Sequence, residues 1–95
     1  MTHKELSELI DLKQVELGKK LKLYRVSRGY DTPYKVARAY GFGQDAIDKN
    51  EKGVHLPSKK TLSGLRVIYE LSISQYKELV EMRDEIIKLK KGLKK

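Results

Sequence analysis

The chain contains no cysteine and no tryptophan, and its 95 residues include only two histidines. The absence of cysteine excludes disulfides and every zinc or redox site built on cysteine. The two histidines, His3 and His55, stand far apart in the sequence, and neither has metal-ligand spacing around it. We therefore expect neither a metal site nor a cofactor.

Long apolar runs are also missing from the sequence. No stretch approaches the roughly 18–20 apolar residues that span a membrane, and no signal-peptide pattern opens the chain. We therefore expect a cytoplasmic protein without a membrane partner. A chain of this length forms one domain with a modest core, which oligomerisation would help to stabilise.

Residue sets that mark common catalytic sites are missing as well. There is no Ser-His-Asp or Cys-His set, no glycine-rich phosphate-binding loop and no cluster of metal ligands. Asp45 and Asp48 are paired acids, but they fall on a helix to which another role is assigned below. We expect no enzymatic activity and no small-molecule substrate.

Positive charge is what the chain has in excess. It carries 21 Lys and Arg against 13 Asp and Glu, a formal net charge of +8. This excess favours a polyanionic partner, although a lysine-rich surface that is merely solvated would give the same count. Lysine predominates over arginine, which suits contact with phosphate more than bidentate reading of base edges.

The clearest local pattern runs from Thr32 to Gly53. Thr32 followed by Pro33 is a typical helix start, and Gly41 falls where that helix should end. A second short helix is predicted to begin at Gln44 and to end before Gly53. The residues expected to face inward from it are Ala46, Ile47 and Asn50. Two short helices joined by a glycine-containing turn of about three or four residues form a helix-turn-helix, whose second helix lies in the DNA major groove.

Helical periodicity predicts two more helices before this motif, over residues 2–12 and 16–28. The earlier one is amphipathic, capped by Thr2, and is either an extra packed helix or part of a dimer contact. The later one is closed by Gly29. The apolar faces are predicted to comprise Leu6, Leu9 and Ile10 in the first, and Leu17, Leu21, Tyr24 and either Leu23 or Val26 in the second.

Two helices are predicted after the motif, one from the N-cap Ser58 through Tyr69 and a last one capped by Ser74. In the last helix, apolar residues recur at steps of three, four, three and four, which is the seam of a coiled coil. The seam residues, predicted to make a dimer contact, are Leu79, Met82, Ile86, Leu89 and Leu93. The alternative is that this face packs back on the domain or on the N-terminal helix. A basic tail follows, comprising Lys88, Lys90, Lys91, Lys94 and Lys95.

Several stretches resemble the phage-repressor-like helix-turn-helix family, of the Cro and xenobiotic-response-element type. They are L-G-K-K-L-K-L-Y-R, V-A-R-A-Y-G-F-G, I-D-K-N-E-K-G and L-P-S-K-K-T-L, and the resemblance runs from about residue 17 to residue 79. It implies an all-α, five-helix, lambda-repressor-like domain over residues 16–78. An extra N-terminal helix (1–15) and an extended C-terminal helix (79–95) flank that domain.

The chain departs from the family pattern in two places. The link G-Y-D-T before the motif is a residue longer than the usual turn, and Asn50 stands where the family mostly has a large apolar residue. An unpaired buried amide costs about 1–3 kcal/mol, so Asn50 is expected to be hydrogen-bonded or partly exposed.

The resemblance also implies roles for individual side chains. Arg25 is expected to form a structural ion pair with Glu51. The base-contacting positions are Gln44, Asp45, Ala46, Asp48 and Lys49. Phosphate contacts are expected near helix N-termini and the neighbouring loops, from Thr32, Tyr34, Lys52, His55, Ser58 and Lys59. Simpler roles are also open: a helix-start charge for Asp45, a partner of a nearby lysine for Asp48, and a surface aromatic for Tyr34.

Together these features predict a sequence-specific, double-stranded DNA-binding protein, a small transcriptional regulator of phage, plasmid or toxin–antitoxin type. It would place helix 44–52 in the major groove, as a homodimer on repeated half-sites. Two alternatives stay open. One is an accessory DNA-binding protein of plasmid transfer or partition. The other is a helical protein-interaction module of the same fold that does not read DNA and meets a protein partner on its C-terminal helix.

Overall fold

The computed structural model describes residues 1–41 and 43–93, and in these residues the chain forms five α-helices and no strand. The helices are α1 (His3–Ser27), α2 (Pro33–Tyr40), α3 (Gln44–Glu51), α4 (Lys59–Ile68) and α5 (Ile73–Leu93). The all-α prediction is therefore confirmed. Phe42 of the predicted turn, and Lys94 and Lys95 of the basic tail, lie outside the described residues.

The prediction of two separate helices before the motif is wrong, because α1 runs without a break from His3 to Ser27. The intervening residues 13–15 include no helix breaker, since lysine and glutamine both favour helix. A capping box starts α1: the Thr2 hydroxyl accepts from the Glu5 N–H, and the Glu5 carboxylate accepts from the Thr2 N–H. The boundary drawn at residues 15/16 therefore falls inside one helix.

The predicted N-caps of α2 and α4 are confirmed. The Thr32 hydroxyl accepts from the Lys35 N–H, and the Ser58 hydroxyl accepts from the Thr61 N–H at 3.1 Å. The predicted cap of α5 is wrong by two positions, because α5 begins at Ile73 and Ser72 caps it. A glutamine three residues after Ser72 returns the hydrogen bond to the Ser72 N–H at 2.9 Å, and this reciprocity favours Ser72 over Ser74.

Helices α1 and α5 pack against each other in antiparallel fashion. Ion pairs join Lys13 to Glu85 at 2.9 Å and Lys20 to Glu78, and a Cβ on Gly92 would lie 3.2 Å from Leu6. The contacts thus step by seven residues on each helix, from 6 to 13 to 20 on α1 and from 92 to 85 to 78 on α5. A seven-residue step is typical of coiled-coil packing.

The apolar seam of α5 therefore meets α1 of the same chain. Leu79 and Ile86 are 0% and 1% exposed, and the other seam residues are partly buried against the core: Met82, Leu89 and Leu93. Two roles were open for this face, and in the structure it packs back on the N-terminal helix. The seam predicted for dimerisation is covered within the monomer, because burying it there satisfies the same heptad pattern.

The core gathers apolar side chains from all five helices. Its largest fully buried members are Tyr69, Leu17, Leu21, Leu62, Leu79, Ile86 and Val36. Leu23 and Val26, offered as alternatives for the inner face of α1, are both exposed, at 62% and 49%. At about 100° per residue they lie on the side of the helix opposite Leu21. None of the helices in the described residues combines the length and apolarity needed to cross a bilayer.

Candidate nucleic-acid interface

The short α2–α3 pair carries the residues predicted to contact bases. Gly41 ends α2 in the left-handed conformation with φ 75°, and its N–H donates to the Ala37 carbonyl at 2.9 Å. Gly43 then caps the start of α3. Val36 of α2 and Ile47 of α3 are both buried where the two helices pack. Helix α3 thus packs back against α2.

A buried ion pair ties the C-terminal end of α3 to α1. Arg25 Nε lies 2.7 Å from Glu51 Oε2, and Arg25 Nη2 lies 2.9 Å from Glu51 Oε1. The third guanidinium nitrogen donates to the Tyr30 carbonyl at 2.6 Å, so each nitrogen of the buried group donates a hydrogen bond. The hydrogen bond to Glu51 raises the pKa of the Arg25 guanidinium. The predicted structural pair is present, with side chains 3% and 6% exposed.

Sequence reasoning missed a second set of contacts between α1 and the end of α3. A Cβ on Gly18 would overlap the carbonyl oxygens of Asn50 and Glu51, so only glycine lets α3 approach this closely. The buried Gln14 side chain donates to the Gly53 carbonyl at 2.9 Å. A glycine inside a predicted helix was the available signal, because such residues often have a packing reason.

The unusual Asn50 is hydrogen-bonded, as its burial requires. Its side-chain nitrogen donates to the His55 carbonyl at 3.0 Å, and the residue is 8% exposed. The Lys49 carbonyl accepts from the N–H groups of Val54 and His55, at 3.0 and 3.3 Å. Asn50 therefore holds the loop that follows α3, a task that an apolar residue at this position could not perform.

The opposite face of α3 is open to solvent. Gln44, Asp45, Ala46 and Lys49 are exposed, and Asp48 is half-buried. Ala46 was expected to face inward, which is wrong. At the helical period the inner face is taken by Ile47, Asn50 and Glu51, and this turns Ala46 outward. The five positions predicted for base contact thus lie together on one short helix.

Asp48 has an intrahelical partner. Its Oδ2 lies 2.8 Å from Lys52 Nζ, an i,i+4 pair along α3. The hydrogen bond to Asp48 raises the pKa of the Lys52 ammonium. The simpler role left open for Asp48, a partner of a nearby lysine, is therefore present in the structure.

The positions predicted for phosphate contact are all exposed: Thr32, Tyr34, Lys52, His55, Ser58 and Lys59. Tyr34, 51% exposed, sits in the first turn of α2 behind its Thr32 cap. Lys59 is the first residue of α4, directly after its Ser58 cap. Two helix N-termini, each with a positive dipole end, therefore reach solvent beside exposed hydrogen-bond donors.

Within residues 1–41 and 43–93, no group of three histidines or acids lies close enough to hold a metal ion. No protein-family model, curated protein or solved structure matches the chain. What the site can do must therefore be inferred from the geometry above.

Proposed function

We propose that this protein is a sequence-specific, double-stranded DNA-binding protein, a small transcriptional regulator that reads the major groove with α3 of an α2–α3 helix-turn-helix. The observation that carries the proposal is the division of α3 into two faces. Its inner face is fixed to α1 through Arg25–Glu51 and Gln14–Gly53, whereas its outer face presents Gln44 and other polar side chains to solvent. A reading helix needs this rigid support, because base contacts depend on precise side-chain placement.

The outer side chains suit base edges in the major groove. Gln44 is the first residue of α3, and the N-terminal residues of a recognition helix are those that reach the bases. A glutamine amide can bond adenine through two hydrogen bonds, and the Lys49 ammonium can donate to guanine. Ala46 can meet a thymine methyl, so three exposed positions match three different bases.

The acids on α3 contribute specificity more than affinity. An exposed carboxylate such as Asp45 is unfavourable beside phosphates unless it accepts a hydrogen bond from cytosine N4. A site without that cytosine leaves the carboxylate unpaired and is rejected. Asp48 is already paired with Lys52, which reduces the repulsion that it would exert on DNA.

Phosphate contacts position the protein along the duplex. The exposed N-termini of α2 and α4 offer backbone N–H groups and a favourable dipole, and Lys59 adds a cation at the second of them. The net charge of +8 supplies the sequence-independent attraction. Two copies on repeated half-sites would place their α3 helices about 34 Å apart. Because α1 packs on the seam of α5 within the chain, we propose that the dimer contact uses another surface.

The decisive experiment is selection from a random duplex library, followed by a salt titration of the winner against a scrambled duplex. We expect an enriched, repeated half-site, with log K falling linearly with log salt and a large ratio of specific to scrambled affinity. A pool that enriches nothing while every duplex binds weakly at low salt would sink the proposal. A protein-interaction module of this fold would show neither the enrichment nor the steep salt dependence.

A further inference from the structure

A second surface lies on the side of the molecule formed by α4 and the first half of α5. A groove of about 420 Å³ runs between these helices. Its lining residues, which define the α4–α5 groove, are Lys59, Arg66, Ile73, Tyr76, Lys77 and Val80. This volume falls within the roughly 300–1,000 Å³ of clefts that hold ligands in proteins.

The floor of the α4–α5 groove is apolar and held in place. Ile73 is 71% exposed, although isoleucine is among the residues most often buried. Tyr76 is fixed at two points, by a 3.0 Å hydrogen bond to the Ser63 hydroxyl and by the Arg66 guanidinium 5.2 Å above its ring centroid. An exposed isoleucine beside a tyrosine held at two points favours a partner that brings an apolar side chain.

The rim of the α4–α5 groove carries positive charge alone. Lys59, Arg66 and Lys77 line it, and no acidic residue does so in the part of the chain that the structure describes. None of the three belongs to an ion pair among the described residues, so their charges are free to meet those of an occupant. Cations clustered around an apolar floor favour an occupant with negative charge.

The geometry points to a docking site for an acidic, aliphatic segment of a partner protein, whose carboxylates meet the cationic rim while a leucine-like side chain covers Ile73 and Val80. A nucleic-acid backbone matches the rim, but its phosphates offer nothing to the apolar floor. A second copy of this chain fits poorly, because in a two-fold contact the same patch faces itself and would set the three cations against three others.

This inference goes beyond the proposed function and can be tested without DNA. The probe is a display library of short random peptides, selected on the intact protein and counter-selected on the Ile73→Ser variant. We expect the winners to combine Asp or Glu with Leu, Ile or Phe, and to shift the backbone amide resonances of α4 and of the first half of α5.

Matched variants test the contributions of the floor and of the rim to peptide binding separately. Ile73→Ser and Lys77→Glu should each weaken the winning peptide about tenfold or more, a change of about 1.4 kcal/mol. The controls are Val67→Ser, a 74% exposed apolar residue outside the groove lining, and Lys22→Glu, an exposed lysine on α1. Both should bind the peptide as the unchanged protein does.

Five outcomes would overturn the inference. The selection could enrich nothing over the counter-selected variant, or it could enrich peptides without acids. Lys77→Glu could leave binding unchanged. Ile73→Ser could dissociate a dimer, as measured by sedimentation, or could weaken the binding of duplex DNA as much as the binding of the peptide. Either result would show that the groove has a different occupant. A failure of the duplex selection would leave the peptide and sedimentation readouts unaffected.

Discussion

At the residue scale, the position of α3 depends on the buried ion pair between the Arg25 guanidinium and the Glu51 carboxylate. Removing one member of such a pair leaves a buried charge without compensation, at about 3–5 kcal/mol. We expect Glu51→Ala to lower the free energy of unfolding by about this amount, measured by urea denaturation. Glu78→Ala is the matched control, because Glu78 is 51% exposed in its pair with Lys20, and exposed pairs contribute about 0–1 kcal/mol. Equal losses in the two variants would contradict the structural role of Glu51.

Tyr69 should affect the pH dependence of stability only at alkaline pH. Its hydroxyl is buried without a hydrogen-bond partner among the described residues, and burial raises its pKa above the usual value. As pH rises past about 10, the unfolded chain loses this proton while the folded chain keeps it, so stability falls as pH increases. We expect Tyr69→Phe to match or exceed the original stability at about pH 7 and to exceed it by about 1 kcal/mol near pH 11.

Urea unfolding at the two pH values measures this difference. Tyr34→Phe serves as the control because Tyr34 is 51% exposed, and its stability should follow the pH dependence of the unchanged protein. Parallel curves for all three proteins would show that the Tyr69 phenol ionises as freely in the folded state as in the unfolded state.

The proposed reading of DNA also makes a residue-scale prediction. Gln44→Ala should relax discrimination at one or two base pairs of the selected site by about 1–3 kcal/mol, because it removes a direct base contact. Lys59→Ala should instead weaken all duplexes similarly and reduce the salt slope by about 1. Titration of each variant against the winner and its point mutants distinguishes these results. If both variants lost affinity equally on every sequence, α3 would not be the reading element.

At the element scale, the contact between α1 and the end of α3 permits no side chain at position 18. Replacing a glycine inside a helix with alanine ordinarily stabilises by about 0.5–1 kcal/mol. At Gly18 the added carbon meets backbone carbonyls of α3, so we expect Gly18→Ala to destabilise by about 1–3 kcal/mol in urea unfolding. Gly43→Ala is the comparison, since its φ of −68° suits alanine and a Cβ there meets nothing within 4 Å. A stabilised Gly18→Ala protein would refute the close approach.

Local chemistry explains which helices could be predicted from the sequence. The hydroxyls of Thr32 and Ser58 accept hydrogen bonds from backbone N–H groups three residues later, and Gly41 ends α2. These features are local, so the bounds of α2 and α4 could be predicted from the sequence alone. The Ser72 cap was missed because Ser74 also precedes a helical pattern, and only the reciprocal bond with Gln75 distinguishes them. The predicted break between two helices at residues 13–15 was wrong, because no residue there interrupts a helix.

The candidate site could likewise be predicted only in part. The Arg25–Glu51 pair and the outward positions of α3 both followed from the family resemblance, whereas helical spacing wrongly placed Ala46 on the inner face. The Gly18 contact could not be derived, because it depends on which backbone segment approaches that position. The heptad stripe of α5 was recognised, but periodicity alone cannot tell a partner within the chain from a second copy.

At the scale of the whole molecule, the antiparallel α1–α5 pair makes the seam a determinant of monomer stability. We expect Ile86→Ala to lower the free energy of unfolding by about 2–5 kcal/mol, because it empties a fully buried site. The variant should keep the concentration dependence of the midpoint that the unchanged protein shows. Ile73→Ala, at a 71% exposed position of the same helix, should stay within about 0.5 kcal/mol of the unchanged protein. A concentration dependence that Ile86→Ala removes and Ile73→Ala keeps would show that copies share the seam.

The pairing of residue 6 with residue 92 has a consequence for how the protein is made. The ribosome makes α1 before α5, the helix that packs against it. The apolar stripe of α1 therefore stays uncovered until α5 has been made, and the contacts that close the pair join residues far apart in the sequence, which slows folding. Because α3 is held by α1 through the Arg25–Glu51 pair, the candidate site also becomes rigid only after α5 has packed on α1.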